Sequence, residues 1–128
     1  AQQEPTLDEL ENTHWTLKKM LCESGLPASP GIEKGSRYDV HFLTEKNFEL
    51  LISLPKTFSV VKGQYELNNE QQLCLNEKYA LTSGNPPFYY DRQTCFLHTV
   101  SATQMTWQFF PGEDCPLHDR QILIFEKQ

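Results

Sequence analysis

The sequence predicts an all-β protein: a single antiparallel up-and-down β-barrel of about eight strands, with a minor helix near the N-terminus. Apolar side chains recur at every second position through most of the chain, which is the period of a half-buried strand. The alternating segments are short, and turns rich in Gly, Pro and Asn separate them. Closing the sheet removes its exposed edges, and consecutive hairpins favour up-and-down order over crossing connections.

The chain has the length of one domain, which we divide into an N-terminal tail at 1–11 and a barrel domain at 12–128. The tail is polar, and its segment 7–10 predicts a short helical turn that leads into Asn12. The tail begins without methionine and carries Pro5, a pattern typical of the end left by signal-peptide removal and equally of a trimmed chain. We therefore expect a periplasmic or secreted protein.

The first half of the chain predicts three strands. Trp15 opens the first of them, and we expect its side chain to plug the floor of the barrel. A long loop at 23–31, dense in turn-forming residues, follows that strand. Pro55 ends the third strand because it lacks the N–H that a sheet ladder needs. The predicted strands in this half span 13–21, 37–43 and 48–54.

The second half predicts the remaining strands. Gly63 interrupts the alternation of the fourth strand, which predicts a bulge or bend that lets the sheet curl. Polar or Pro/Gly-rich connections fall at 68–71, 84–87, 101–103 and 111–118. The predicted strands in this half span 58–67, 72–76, 89–100, 104–110 and 121–126.

The overall charge limits the classes of partner. The formal net charge is −6 and the pI is about 5.1, which argues against nucleic acid because phosphate binding needs a basic surface. No apolar run approaches the roughly 18 residues of a membrane helix. An acidic surface suits a cationic protein partner, or serves solubility alone.

Four cysteines stand at positions 22, 74, 95 and 115, and none belongs to a C-x-x-C pair. This spacing argues against a zinc ribbon or a thioredoxin-type site. An even, dispersed set in a small protein predicts two disulfides and an oxidising compartment. Four separate reduced thiols in the core are the alternative.

Two local motifs resemble known barrel proteins. The segment 12–17, Asn-Thr-His-Trp-Thr-Leu, resembles the first-strand tryptophan of lipocalin-like (calycin-type) proteins and the opening of META-domain envelope lipoproteins. The segments 62–67 and 72–75 resemble the central hairpin of small bacterial lipocalin-like domains. The Gly-Cys-Asn motif of the META family is absent, and Arg120 is the candidate to stack on Trp15 as an arginine does in lipocalins. The resemblance implies a bacterial envelope or secreted binding module without enzymatic activity.

Up-and-down topology also predicts the disulfide pairing. The first and last strands of such a barrel pair antiparallel, which brings Cys22 near Cys115. Cys74 and Cys95 lie on successive antiparallel strands. We therefore expect the pairs Cys22–Cys115 and Cys74–Cys95.

Catalytic and metal-binding patterns are lacking in the sequence. The histidines at 14, 41, 98 and 118 have no zinc-site spacing, and His14 and His118 are the pair that we expect the fold to bring together. There is no G-x-S-x-G elbow, and a cysteine in a disulfide is not a nucleophile. We predict no metal site, no cofactor and no enzymatic activity.

Two surface segments are candidates for ligand or partner binding. The first follows the Pro-Pro loop, where aromatic residues adjoin an Asp-Arg pair and could anchor a partner. The alternative interpretation is that this segment begins a strand and that its aromatic side chains point into the core. The second is an acidic loop tip for a basic partner, or an ordinary solvated turn. Trp107, on the seventh predicted strand, either packs in a filled core or lines a ligand cavity. The candidate residues are Phe88, Tyr89, Tyr90, Arg92, Trp107, Glu113 and Asp114.

The leading functional hypothesis is a non-enzymatic secreted or periplasmic binding module. It would bind a small apolar ligand or a protein partner through loops at one barrel end. One alternative is an acidic inhibitor or immunity-type protein that neutralises a basic enzyme. Another is a structural subunit of an envelope assembly. We expect aromatic side chains to fill the barrel interior.

Overall fold

The computed structural model of the protein describes residues 10–24, 34–68, 71–109, 115 and 119–128. Eight strands form a closed barrel in which each strand pairs antiparallel with its neighbours in the chain and the last strand pairs with the first. This confirms the predicted fold class. The strands are β1 (Thr13–Cys22), β2 (Arg37–Phe42), β3 (Asn47–Ser53), β4 (Phe58–Leu67), β5 (Gln72–Thr82), β6 (Phe88–Val100), β7 (Gln104–Phe109) and β8 (Gln121–Lys127).

Helical structure in the described residues is limited to a 3₁₀ turn at Thr44–Lys46. The predicted helical turn at 7–10 lies outside the described residues except for Leu10. Leu10 has no exposed surface and belongs to the hydrophobic core, although it stands in the segment assigned to the tail.

Strand boundaries agree with the predicted ones to within one residue wherever the structure describes them, except in β5. That strand continues from its predicted end at Asn76 to Thr82. The added segment pairs with β4 on one side and β6 on the other. Ladder hydrogen bonds to two neighbours keep it extended, although Glu77 and Lys78 interrupt the apolar alternation.

One end of the barrel is closed by packed side chains. Trp15 is 1% exposed, and its indole Nε1 donates a hydrogen bond to Thr13 Oγ1 at 2.7 Å. Phe42 meets Tyr65 edge to face, with ring centroids 4.9 Å apart. Phe48 is 1% exposed beside them. This half of the interior is therefore filled, and Trp15 lies in it as expected.

Gly63 lets β4 and β5 approach closely at a bulge. The register of the two strands shifts between Lys62 and Gly63. A Cβ at Gly63 would lie 1.9 Å from the carbonyl oxygen of Asn76. Only glycine fits this position, so the bulge predicted there is confirmed.

Two disulfides cross-link the barrel. Cys22 is joined to Cys115, and Cys74 is joined to Cys95, with Cα–Cα distances of 5.6 Å and 4.0 Å. These are the pairs that up-and-down topology predicts. The first ties the end of β1 to the segment before β8, at the end of the barrel opposite Trp15.

The predicted stacking of Arg120 on Trp15 is wrong. The antiparallel register of β1 and β8 sets Lys127 opposite Trp15, and the Lys127 ammonium lies 6.0 Å from the ring centroid. Arg120 precedes β8 and lies at the other end of the barrel, where its carbonyl accepts a hydrogen bond from Glu23 N–H at 2.8 Å.

Candidate functional site

The candidate ligand pocket lies where β6 extends beyond β7. These two strands pair only from Leu97 to Val100 on β6. The first part of β6, Phe88–Phe96, pairs with β5 on its other side. Between this part of β6 and the start of β8 the described residues surround an open pocket of about 510 Å³.

The lining of this pocket combines two cations with an apolar wall. Phe96 and Phe109 form the wall with ring centroids 4.8 Å apart, and Leu123 of β8 continues it. The two cationic residues in the lining are Arg92 and Arg120. No carboxylate lines the pocket within the described part of the chain. The remaining polar lining residues are Gln72, Thr94, Gln108 and Gln121.

Such a lining suits an anion that has an apolar part. Guanidinium groups bind carboxylate or sulfonate oxygens through paired, charge-assisted hydrogen bonds. Aromatic and aliphatic walls bury the apolar part of a ligand, and a few polar groups fix its orientation. Arg92, predicted as a binding residue, therefore lies in the pocket, while Arg120 was not among those candidates.

Tyr90 of β6 is not among the residues that line the pocket and is bonded to β5 instead. Its hydroxyl donates a hydrogen bond to Glu77 Oε1 at 2.7 Å. Burial, together with this hydrogen bond and the charge of Glu77, raises the pKa of Tyr90 to about 12. The phenol therefore stays protonated at neutral pH and keeps its donor role. Glu77 also stands opposite Arg92 in the register of β5 and β6.

Phe88 and Tyr89 are exposed at the end of the barrel opposite Trp15, with 62% and 75% of their surfaces accessible. The Phe88 ring stacks on Tyr90 at a centroid distance of 5.1 Å, and Tyr89 meets Tyr79 edge to face at 5.2 Å. Phe58, at the start of β4, is 47% exposed at the same end. We call Phe58, Phe88 and Tyr89 the aromatic rim.

Trp107 belongs to the core. It is 4% exposed and packs between Phe96 and Phe125, with ring centroids 4.7 Å and 4.5 Å away. Its Nε1 and the Nε2 of His98, which stands opposite on β6, are buried and have no hydrogen-bond partner among the described residues. Burial lowers the pKa of His98. The other predicted site residues, Glu113 and Asp114, lie outside the described residues.

A polar cluster surrounds Asp39 on the outer wall of β1 and β2. Its carboxylate accepts hydrogen bonds from Thr16 Oγ1 and from Arg37 Nε at 2.8 Å, and His14 Nε2 lies 3.3 Å away. Burial raises the pKa of Asp39, but the hydrogen bonds from Arg37, Thr16 and His14 outweigh it, so the pKa lies below its usual value.

His14 stands directly opposite His41 in this cluster, and their ring centroids are 3.9 Å apart. Burial lowers the pKa of His41, and the neighbouring His14 adds to that effect. Histidine spacing along the sequence misses this pair because only the β1–β2 register brings the two residues together. The pair that was expected, His14 with His118, involves a residue outside the described part of the chain.

Comparison of the chain with protein-family models, curated proteins and solved structures found no match. The eight-stranded antiparallel barrel is compatible with a lipocalin-like fold, and the resemblance to lipocalin-like and META-domain proteins stays a prediction. Among the described residues, no helix is both long enough and apolar enough to cross a lipid bilayer.

Proposed function

We propose that this protein is a non-enzymatic binding module that takes a small anionic ligand with an apolar part into the pocket between β6 and β8. The observation that carries the proposal is the presence of Arg92 and Arg120 in one pocket with the wall of Phe96, Phe109 and Leu123. Two disulfides support its action in an oxidising compartment, the periplasm or the cell exterior.

Because the chain as a whole is acidic, the presence of two arginines in one pocket supports anion binding there. A protein of net charge −6 repels anions over most of its surface. Anion binding therefore requires cationic side chains at the site, and Arg92 and Arg120 are the two among the lining residues. The filled end of the barrel around Trp15 lies opposite this pocket, which is at the end where β8 begins.

The test is fluorescence titration with anilinonaphthalene sulfonate, followed by displacement with decanoate and with decanol. The alcohol has the same chain without the charge. A hydrogen bond to a charged group contributes about 1.5–3 kcal/mol. Arg92→Gln and Arg120→Gln should therefore each weaken decanoate binding by roughly 10- to 150-fold, and should barely change decanol binding.

Arg37→Gln is the matched control, because it removes an arginine from the outer wall near Asp39. It should leave sulfonate and decanoate binding unchanged. Equal affinity for decanol and decanoate, or binding that survives both pocket substitutions, would show that the arginines do not recognise an anion.

A protein partner bound through the aromatic rim is the second candidate, favoured by the exposure of Phe88 and Tyr89. Exposed aromatics often anchor protein interfaces. Pull-down from envelope extract should compare the wild type with Phe88→Ser/Tyr89→Ser. An inhibitor would retain one enzyme and abolish its activity, and a structural subunit would retain components of an assembly. Retention of the same proteins by the variant would exclude the rim as the contact surface.

A further inference from the structure

We infer that the edge of β6 beside the pocket binds an extended peptide as an added strand, and that Arg92 binds the carboxylate at the C-terminus of this peptide. The inference rests on the function proposed for the pocket and names the class of its anionic ligand. Three features of β6 support it: its pairing with the neighbouring strands, the direction of its main-chain groups and the position of Arg92.

The two neighbours of β6 pair with different parts of it. β5 pairs with the segment Phe88–Leu97, whereas β7 pairs only with Leu97–Val100. On the side of the pocket, no strand in the described part of the chain pairs with Phe88–Phe96. A strand with one unpaired side can accept an extended peptide through main-chain hydrogen bonds.

The main-chain groups of Cys95 point towards this unpaired side. His98 N–H donates a hydrogen bond to the carbonyl of Gln71, which lies on the β5 side, at 3.0 Å. In an antiparallel ladder the N–H and C=O of one residue point to the same side, and those of the next residue point to the opposite side. The register with β5 is regular through this segment. The main-chain groups of Gln93 and Cys95 therefore point away from β5.

The distance between Cys74 and Cys95 leads to the same result. Directly opposed residues of an antiparallel pair have Cα atoms about 5.5 Å apart when they exchange hydrogen bonds and about 4.5 Å apart when they do not. The Cα atoms of Cys74 and Cys95 are 4.0 Å apart. The main chain of Cys95 is therefore not bonded to β5. This also explains how Cys95 lines the pocket although its side chain is joined to β5.

An antiparallel peptide on this edge would extend the line of β7 towards Arg92. Leu97 stands opposite Gln108, and β7 ends at the next residue, Phe109. The position opposite Cys95 is therefore the first one beyond β7. Arg92 lies three positions further along β6, about 10 Å away at 3.4 Å per residue. A peptide of about three residues thus places its terminal carboxylate level with Arg92.

The pocket lining matches the other parts of such a ligand. Arg92 and Arg120 are cations suited to a carboxylate. The wall of Phe96, Phe109 and Leu123 suits an apolar side chain. Main-chain hydrogen bonds add affinity that a fatty acid cannot gain, because it has no amide groups to pair with β6. The ligand class is therefore a peptide that ends in an apolar residue with a free carboxylate.

The test of the carboxylate is calorimetric titration of the disulfide-bonded chain with the peptide acetyl-Thr-Val-Thr-Val-Leu, as the free acid and as the C-terminal amide. The amide should bind roughly 10- to 150-fold more weakly, the factor expected for a hydrogen bond to a charged group. Arg92→Gln should weaken binding of the acid by a similar factor and barely change binding of the amide. The matched control Arg37→Gln should bind the acid with full affinity, because Arg37 lies near Asp39 on β2.

The test of strand addition uses two N-methylated forms of the acid peptide, one methylated at the odd-numbered amides and the other at the even-numbered amides. Alternate amides of a strand point to opposite sides, so only one set can pair with β6. One form should therefore lose binding and the other should retain it. Each form is the matched control for the other.

Hydrogen exchange of the wild type, measured by NMR, gives a readout that needs no variant. The amides of Gln93 and Cys95 should exchange rapidly in the free protein and slowly in the peptide complex. The amide of His98, bonded to Gln71, should be protected in both states. Slow exchange of Gln93 and Cys95 without peptide would show that the edge is already paired, by residues 110–114 or another segment, and would overturn the inference.

Absence of peptide binding, equal affinity for the acid and the amide, or equal affinity for the two methylated forms would also overturn it. Decanoate binding separates this failure from failure of the anion pocket. Decanoate binding that depends on Arg92, without peptide binding, refutes strand addition and leaves the proposed function intact. Loss of both kinds of binding refutes the two together.

Discussion

Removal of the Cys22–Cys115 disulfide should destabilise the barrel more than removal of Cys74–Cys95. The two bonds close loops with sequence separations of 93 and 21 residues. Loop-closure entropy in the unfolded chain then gives about 4.7 kcal/mol for the first bond and about 3.4 kcal/mol for the second. Either value is a large share of a typical unfolding free energy of roughly 5–15 kcal/mol.

The assay is urea unfolding of Cys22→Ala/Cys115→Ala and Cys74→Ala/Cys95→Ala beside the wild type, with the slope checked for two-state behaviour. Cys22 and Cys74 are 1% and 6% exposed, so each double variant removes one buried cysteine. The first variant should be less stable than the second by about 1.3 kcal/mol. An equal or reversed order would refute the claim that loop length sets the contribution of each bond.

Three further perturbations test other parts of the structure. Gly63→Ala should cost about 1–3 kcal/mol in urea unfolding, because its Cβ would meet the Asn76 carbonyl; wild-type stability would contradict the close approach. Burial lowers the pKa of His98, so the unfolded chain takes up the proton first and stability should fall as pH drops below about 6.5. Thermal unfolding between pH 8 and pH 5 should show this fall, and His98→Leu should reduce it; an unchanged slope in the variant would exclude His98 as its source. Asp39→Ala should cost about 1–3 kcal/mol because it leaves the buried Thr16 hydroxyl without its acceptor. The control Asp91→Ala removes an exposed ion pair and should change unfolding little; equal effects of the two would argue against the Asp39 network.

The barrel could be predicted because its determinants are local in the sequence. The alternation around Trp15 fixes which face of β1 is buried. Pro55 follows the end of β3 and Gly63 stands at the bulge in β4, so each can be located from its own position in the sequence. Once up-and-down order is assumed, the antiparallel pairing of β1 with β8 brings Cys22 to Cys115 without further information.

The candidate sites could be predicted only in part, because they depend on register. The pocket exists because β6 extends beyond its pairing with β7, and that offset has no signature in either segment. Arg92 was found through its aromatic neighbours, whereas Arg120 was assigned to the wrong end of the barrel. His14 and His41 are separated in sequence and meet through the β1–β2 ladder alone.

The most direct test of ligand binding between β6 and β8 is a ¹H–¹⁵N NMR titration of the disulfide-bonded protein with decyl sulfate, which has an anionic head and an apolar tail. The account predicts saturable shifts centred on Arg92, Phe96, Phe109 and Leu123, which line the pocket. Shifts confined to the aromatic rim, or no saturable shifts, would contradict it.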